Sequence, residues 1–396
     1  MYTGAFICEL NPLHNGHEYL LRKMQDSGCI RRIACMSGNF TQRGEPAVFD
    51  KFTRTRAALA AGADLVLELP VTYACAGAER FAFGGVYLLQ ALGIADRLYF
   101  GSECGDPALI RRTAAVLGQP EVSELLRCLL SEGITYAAAR ERAVREISGH
   151  EPAAILHQPN DILGTEYCKA LMKLQSHIQP FAIQRTAAAH DSTIPTDTFA
   201  SASYLRRQLY EGKDIDSYIP PSTREIVRSA RQQLPAADRQ QTIEAAMLYR
   251  LRMMSKDSFS ALPDISEGLE NRLYKAVHTC TSTADILACV KSKRCTMARL
   301  RRILMYAFLG ITQEDCRSLP QYIRVLGFNR TGQTILRECK KSAALPVVTK
   351  AADIASLSEE GRKMFALESR CDDLYALTNH TVSPCGSNYT TKLIVV

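Results

Sequence analysis

"FICELNPLHNGHEYLLRKM", residues 6–24, decides the fold. An apolar run ends at Glu9, Asn-Pro interrupts it, and a helical spacing of apolar residues starts as soon as His14-Asn15-Gly16-His17 is passed. A strand that feeds a helix through so short a turn opens a parallel α/β unit, and in such sheets ligands bind beyond the carboxyl ends of the strands. The helix end there carries free backbone N–H groups and positive potential, both attractive to phosphate. His14 and His17 lie three apart across the turn and can face the same way, while Gly16 lets a bulky group approach the backbone. Either histidine alone reads better as a helix cap or a gap filler; the pair with its glycine suits a triphosphate whose charge must be stabilised during transfer.

Working outward, "YTGAFICE" (2–9), "RRIACMSG" (31–38), "DLVLELP" (64–70) and "ADRLYFGSE" (95–103) read as buried strands. Helical patterns separate them, notably 50–63 with an Asp50 cap, and strand alternating with helix predicts a parallel sheet with right-handed crossovers. Helices are predicted over 134–147, 160–174 and 199–212, with a strand at 179–186 and a polar loop through Pro195. Beyond Pro220 and Pro221 the apolar residues recur at three and four through about Leu309, which predicts a mainly helical second half. The tail adds strand-like "ALPVVTK" and "TKLIVV". The expected architecture is therefore a Rossmann-like α/β domain with a parallel sheet over residues 1–218, followed by a mainly helical domain over 219–396.

The 396 residues are 46% hydrophobic and 22% charged, an ordinary globular balance that argues against a disordered chain. No apolar run reaches the ~20 residues of a membrane span and no signal h-region opens the chain, so a cytoplasmic protein is expected. Fourteen cysteines without a Cys-x-x-Cys pair read as reduced, buried thiols rather than a zinc site, and no metal ligand set is assigned. The net charge of +7 mildly favours a polyanionic partner.

"PLHNGHEYL" resembles the His-x-Gly-His signature of the nucleotidyltransferase superfamily, whose members adenylylate a substrate at the α-phosphate of ATP. The stretches at 37–70, 100–106, 158–171 and 199–207, with "SEGLENRLYKA" and "KSKRCTMARLRRILMYAFLGI", are similar in order and content to the bacterial tRNA(Met) cytidine acetate ligase family over nearly the whole chain. Leu13 stands where that family is expected to have an aromatic residue, and Ser203 where threonine is usual. The resemblance implies an enzyme that joins acetate to ATP as acetyl-adenylate and passes the acetyl group to the wobble cytidine of elongator tRNA(Met), giving N4-acetylcytidine.

Carried over by position, the resemblance places ATP on Ile7, Cys8, Glu9, Leu10, Asn11, Pro12, Leu13, His14, Asn15, Gly16, His17, Glu18, Tyr19 and Leu20, with Gly101, Asn160 and Arg185, and makes His14 and His17 catalytic. The residue chemistry agrees. Gly101 follows a strand and admits adenine or ribose close to the backbone, and Arg185 ends a strand where a guanidinium can clamp phosphate. Asn160 also reads as an ordinary helix cap. Ser201, Ser203 and Arg206 open a late helix and are expected to donate to the β and γ phosphates. The loop Gln42, Arg43, Gly44, Glu45, with Lys51, is expected to hold acetate or the target base. Mg2+ suits such chemistry but leaves no readable signature, and neither does the oligomeric state.

A basic cluster, Lys291, Lys293, Arg294, Arg299, Arg301 and Arg302, is expected to grip tRNA phosphates, with Arg324 and Arg330 beside Phe328 as further candidates. Two competing readings share the first half: a small-molecule adenylyltransferase or carboxylate–amine ligase of the pantothenate synthetase type, and a non-catalytic RNA-binding protein. About 170 basic, helical residues exceed what a small acceptor needs, and the intact His14, Gly16 and His17 argue against loss of catalysis.

Overall fold

The computed structural model describes residues 2–185, 198–232, 234, 237–266, 268–293 and 295–396, and the backbone alone over 237–242. Among the described residues eight strands form one sheet: β1 (Tyr2–Cys8), β2 (Cys29–Ser37), β3 (Leu65–Leu69), β4 (Arg97–Ser102), β5 (Gln179–Gln184), β6 (Ile323–Phe328), β7 (Val347–Val348) and β8 (Ile394–Val395). Their order is β5-β4-β1-β2-β3-β6-β7, with β8 beside β6. The first five are mutually parallel, as predicted, while β6 runs antiparallel against β3.

Side-chain alternation explains why these runs are central strands. Ala5, Ile33, Cys35, Leu65 and Leu67 enter the core on one face, and Phe6, Cys8, Ala34, Met36 and Val66 enter the core on the other. With both faces covered, most positions are apolar and the strands read as nearly continuous hydrophobic runs. The second face is covered by α1 (Asn15–Asp26) through Leu21 and Met24 and by α2 (Lys51–Ala60) through Ala57, Ala58 and Leu59. As predicted, Asp50 caps α2, its carboxylate accepting from the N–H groups of Phe52 and Thr53.

After the short α3 (Val71–Ala74), α4 (Ala78–Leu92) lies on the first face, followed in sequence by a satellite bundle of α5 (Pro107–Leu117), α6 (Pro120–Ser131), α7 (Tyr136–Ser148) and α8 (His150–Ala154). The first face also receives α9 (Pro159–Lys173). Next come α10 (Ala202–Tyr210) and α11 (Arg224–Arg231), with a small core of their own. The second half supplies α12 (Ala237–Arg252), α13 (Lys256–Ser260), α14 (Leu269–Thr279), α15 (Thr283–Val290) and α16 (Met297–Leu309), then α17 (Arg330–Ser342), α18 (Glu359–Tyr375) and α19 (Ser387–Thr390). Helices α12 to α16 and α18 share one core, as the three-and-four spacing foretold.

One expectation needs correcting. Strands β6, β7 and β8 come from the half expected to form a separate helical domain, yet they belong to the first half's sheet, and α17 packs Ile335 and Cys339 into its core. The cause is the open edge of β3, whose backbone groups and apolar side chains need a neighbour. The chain thus runs from β1 outward through β2 and β3, returns to the other side of β1 for β4 and β5, and comes back for β6. The reversal between β1 and β4 is the place where an open α/β sheet leaves a crevice for a ligand.

Candidate active site

At the carboxyl end of β1 the chain leaves the sheet with Leu10 at φ +50° and a cis Asn11–Pro12 bond, and α1 begins one residue beyond His14. His14 is its N-cap: Nδ1 accepts from the Gly16 N–H at 3.1 Å, while Nδ1 of His17 accepts from the His14 N–H at 3.2 Å. The two rings lie 3.9 Å apart between centroids. Because each Nδ1 is an acceptor, each neutral ring carries its proton on Nε2, the nitrogen left to face a ligand. Burial, reinforced by the Arg185 charge, lowers the pKa of His17 to about 3, and burial with His17, Arg185 and Arg206 holds His14 well below its usual value. The turn therefore presents two uncharged N–H donors, fixed in tautomer and orientation, beside the start of a helix.

Arg54, from α2, holds the platform beneath. It is buried and donates to the carbonyls of Glu9 (2.6 Å), Ser37 (3.0 Å), Phe49 (2.9 Å) and Gly38, tying the carboxyl ends of β1 and β2 together. Across the crevice, Arg185 follows β5 and its side chain lies over Gly101, where an added Cβ would meet the Arg185 Cγ at 3.5 Å. The turn after β4 is fixed by Asp161, buried in α9, which accepts from Ser102 Oγ at 2.5 Å, Glu103 N at 3.0 Å and Cys104 N at 3.1 Å. Asn160 does not cap α9 as the sequence suggested; it sits inside the first turn and donates to the Glu103 carboxylate at 2.6 Å. Glu103 also accepts from the Asp161 N–H at 3.1 Å.

Helix α10 is strapped to the histidine turn. Arg206 donates to Asn11 O at 2.9 Å, and Asn15 donates to Thr198 O and Ser217 O at 2.8 and 3.2 Å. Ser201 caps α10 by accepting from Tyr204 N, and its hydroxyl lies 3.1 Å from that of Ser203. The loop after β2 closes another side: Glu9 accepts from the Gln42 N–H at 2.8 Å, and Gly44, at φ +73°, packs so tightly on α16 that a Cβ would lie 2.5 Å from Arg302 N.

This arrangement matches known proteins over its whole length. The family model of the HIGH nucleotidyl transferases matches residues 1–389. A tRNA(Met) cytidine acetate ligase of Thermoanaerobacter sp. (strain X514) is 40% identical over 98% of both chains. The enzyme of the same name from Caldanaerobacter subterraneus subsp. tengcongensis is 41% identical over 95% of both. The chain belongs to the tRNA(Met) cytidine acetate ligase family. Thermotoga maritima TmcAL, 31% identical, superposes with a TM-score of 0.93 in its apo form and 0.90 when bound with alpha-thio ATP, over 100% of each chain.

Within this cytidine acetate ligase fold the expected site residues separate by what their side chains do. Ile7, Leu10 and Leu13 pack into the core, as does Cys8, and Asn11 and Pro12 are buried, so their side chains belong to the scaffold. Glu18 pairs with Arg22 at 3.2 Å on the surface, Tyr19 meets Phe199 edge-on, and Leu20 leans on the core. Gly101 and Arg185 converge, whereas Lys51 does not serve as expected. Its ammonium is buried 2.6 Å from both Glu68 Oε1 and Asp372 Oδ2, which raises its pKa and removes it from any ligand.

Among the basic candidates, Lys291 and Lys293 are exposed and Arg330 opens α17 at the surface. Arg294 lies outside the described residues. Arg299 donates to Asp264 O at 2.7 Å and Ser266 Oγ at 2.6 Å, so it ties α16 to the loop between α13 and α14. Arg324 is a correction: it is buried in β6, donates to Asn388 O at 3.2 Å and offers nothing to RNA. Sequence reasoning missed Arg54, Asp161 and Glu103. A charged residue inside a helical apolar pattern, as at Arg54, was the available signal, but its four carbonyl partners exist only in the fold.

Among the described residues no helix is long and apolar enough to cross a membrane, and no group of three or more His, Cys, Asp or Glu side chains is placed to hold a metal ion.

Proposed function

We propose that this chain activates acetate with ATP and transfers the acetyl group to N4 of the wobble cytidine in elongator tRNA(Met). The observation that carries the reading is the pair of neutral imidazoles presenting Nε2–H at the start of α1, opposite Arg185 and at the switch point between β1 and β4. ATP lies with its phosphates over this turn, and Gly101 leaves room for the nucleoside. An acetate oxygen attacks the α-phosphorus, and the bond to the β-phosphate oxygen breaks to release pyrophosphate. Charge gathers on the α-phosphate oxygens during this step, where His14, His17, the helix N–H groups and Arg185 favour it. The N4 amine then attacks the acetyl carbonyl, the bond from that carbon to the phosphate oxygen breaks, AMP leaves with the electron pair, and the amine loses a proton. The exposed Lys291 and Lys293 supply phosphate contacts to the folded RNA.

The test is acetate-dependent exchange of labelled pyrophosphate into ATP, followed by nucleoside mass spectrometry of tRNA incubated with ATP and labelled acetate. The wild type should exchange and should label cytidine by one acetyl group. His17→Ala should lower exchange by about 10² or more while retaining weak ATP binding through the backbone. Exchange without acetate, or no labelled cytidine, would refute the reading.

A further inference from the structure

Among the described residues five tyrosines stand well out of the surface: Tyr2, Tyr136, Tyr210, Tyr249 and Tyr389. Four of them lie apart from the catalytic turn. Tyr2 starts β1 at the opposite end of the sheet, Tyr136 begins α7 in the satellite bundle, Tyr249 is on α12, and Tyr389 rests against Phe365 with centroids 5.2 Å apart. Tyr210 differs. It ends α10, and Arg206, one helical turn earlier on the same face, is the residue whose guanidinium grips Asn11 O in the catalytic turn. The residue is 45% exposed, although it stands on an element anchored at the site.

The surroundings of Tyr210 come from three parts of the chain. Arg206 is on its own helix, Glu45 is in the loop after β2, and Glu45 pairs with Arg301 of α16 at 3.1 Å. Arg206 and Glu45 are near enough to act on the phenol electrostatically, the first lowering and the second raising a pKa that burial of the hydroxyl end has already pushed up. Tyr210 thus stands on the helix that Arg206 ties to the histidine turn, on the side of the loop that Glu45 ties to α16. We propose that Tyr210 is the platform on which the acceptor cytosine stacks while its amine reaches the acyl-adenylate.

This inference rests on the function proposed above and adds the element that function needs. A cytosine in an anticodon loop is stacked on its neighbours, and its N4 meets an acyl group in a protein crevice only after leaving that stack. Proteins that take up single RNA bases replace the lost stacking with an aromatic face, commonly flanked by arginine. Here Arg206, one helical turn before Tyr210, pins the helix that carries the ring to the histidine turn. The alternative is an ordinary surface tyrosine at the end of a helix.

The variants Tyr210→Ala, Tyr210→Phe and Tyr210→Trp separate these cases when each is assayed for acetate-dependent pyrophosphate exchange and for acetyl transfer to an unmodified tRNA(Met) transcript. Loss of one base stack lowers kcat/KM for the transcript by about 10-fold or more in Tyr210→Ala. Exchange remains within twofold of the wild type, and Tyr210→Phe and Tyr210→Trp recover transfer because the π-face is kept. A stack carries no counterions, so tRNA affinity falls in Tyr210→Ala without a change in the log–log salt slope. Transfer by Tyr210→Ala at the wild-type rate overturns the proposal, as does a Tyr210→Phe variant as impaired as Tyr210→Ala, which would point to the hydroxyl. Loss of exchange together with transfer also overturns it, by showing that Tyr210 supports the turn rather than the acceptor. A wild type without acetate-dependent exchange refutes the proposed function itself, and is recognisable because no variant is involved.

Discussion

His14 and His17 each accept a backbone N–H at Nδ1, so protonating either buried ring removes an acceptor from the histidine turn as well as adding charge beside Arg185. Both effects favour the neutral form, and they give the pair a pH signature in stability. An unfolded histidine titrates near 6.5, whereas folded His17 does so at about 3, so between these values the unfolded chain binds more protons. The contribution is complete above about pH 6.5 and is lost as the pH falls towards 3. Asp372 works the other way, because burial raises it to about 6 and the folded state holds its proton first. A wild-type titration alone mixes the two, but their difference does not: urea unfolding at pH 7.5 and pH 5 should show the wild type losing more stability on acidification than His17→Ala does. Equal losses would mean that the folded imidazole titrates normally.

At the scale of elements, the turn after β4 is the part of the site most dependent on a single distant carboxylate. Asp161→Ala would leave Glu103 N and Cys104 N without their acceptor, at roughly 1–3 kcal/mol for each group left unsatisfied. Gly101→Ala isolates the site from the fold, because its Cβ would make only ordinary contact with Arg185. Its melting temperature should stay within about 2 °C of the wild type while KM for ATP in the exchange reaction rises several-fold or more. An unchanged KM would show that nucleotide does not approach this strand end. What the sequence made legible follows the same division. β1, α1, β2, α2 and β3 are spelled out by local patterns, because each strand is buried on both faces and α2 carries its own Asp50 cap. β6 was hidden because Arg324 interrupts its apolar run; there the guanidinium meets Asn388 and the Phe365 ring, neither of which is near in sequence. Asp161 and Glu103 were equally silent, since a carboxylate near a helix start reads as a solvated end until its partners are in place.

The whole molecule is held together where the two halves exchange charges. Lys51 and Glu68 of the first half meet Asp372 of α18 in a buried cluster, Asn39 donates to Asp372 at 2.8 Å, and Glu368 accepts the Val71 N–H at 2.6 Å. β6 completes the sheet beside β3, with Ile323 and Val325 entering one face and Leu326 the other. A chain ending at residue 218 would therefore lack part of its sheet as well as its helical half. It would expose the β3 edge and leave the buried Lys51 with one of its two carboxylates, and removing a partner from a buried ion pair alone costs about 3–5 kcal/mol. That is a large share of the roughly 5–15 kcal/mol that stabilises a domain. Residues 1–218 expressed alone should show no cooperative thermal transition, rapid proteolysis and no acetate-dependent exchange. The full-length Asp372→Ala variant tests the same link without truncation, and should unfold at a clearly lower urea concentration while keeping its exchange activity in the absence of denaturant. A fragment of residues 1–218 that melts sharply and exchanges pyrophosphate at the wild-type rate would show that the sheet is complete without β6, and that adenylate formation and RNA binding reside in separable domains after all.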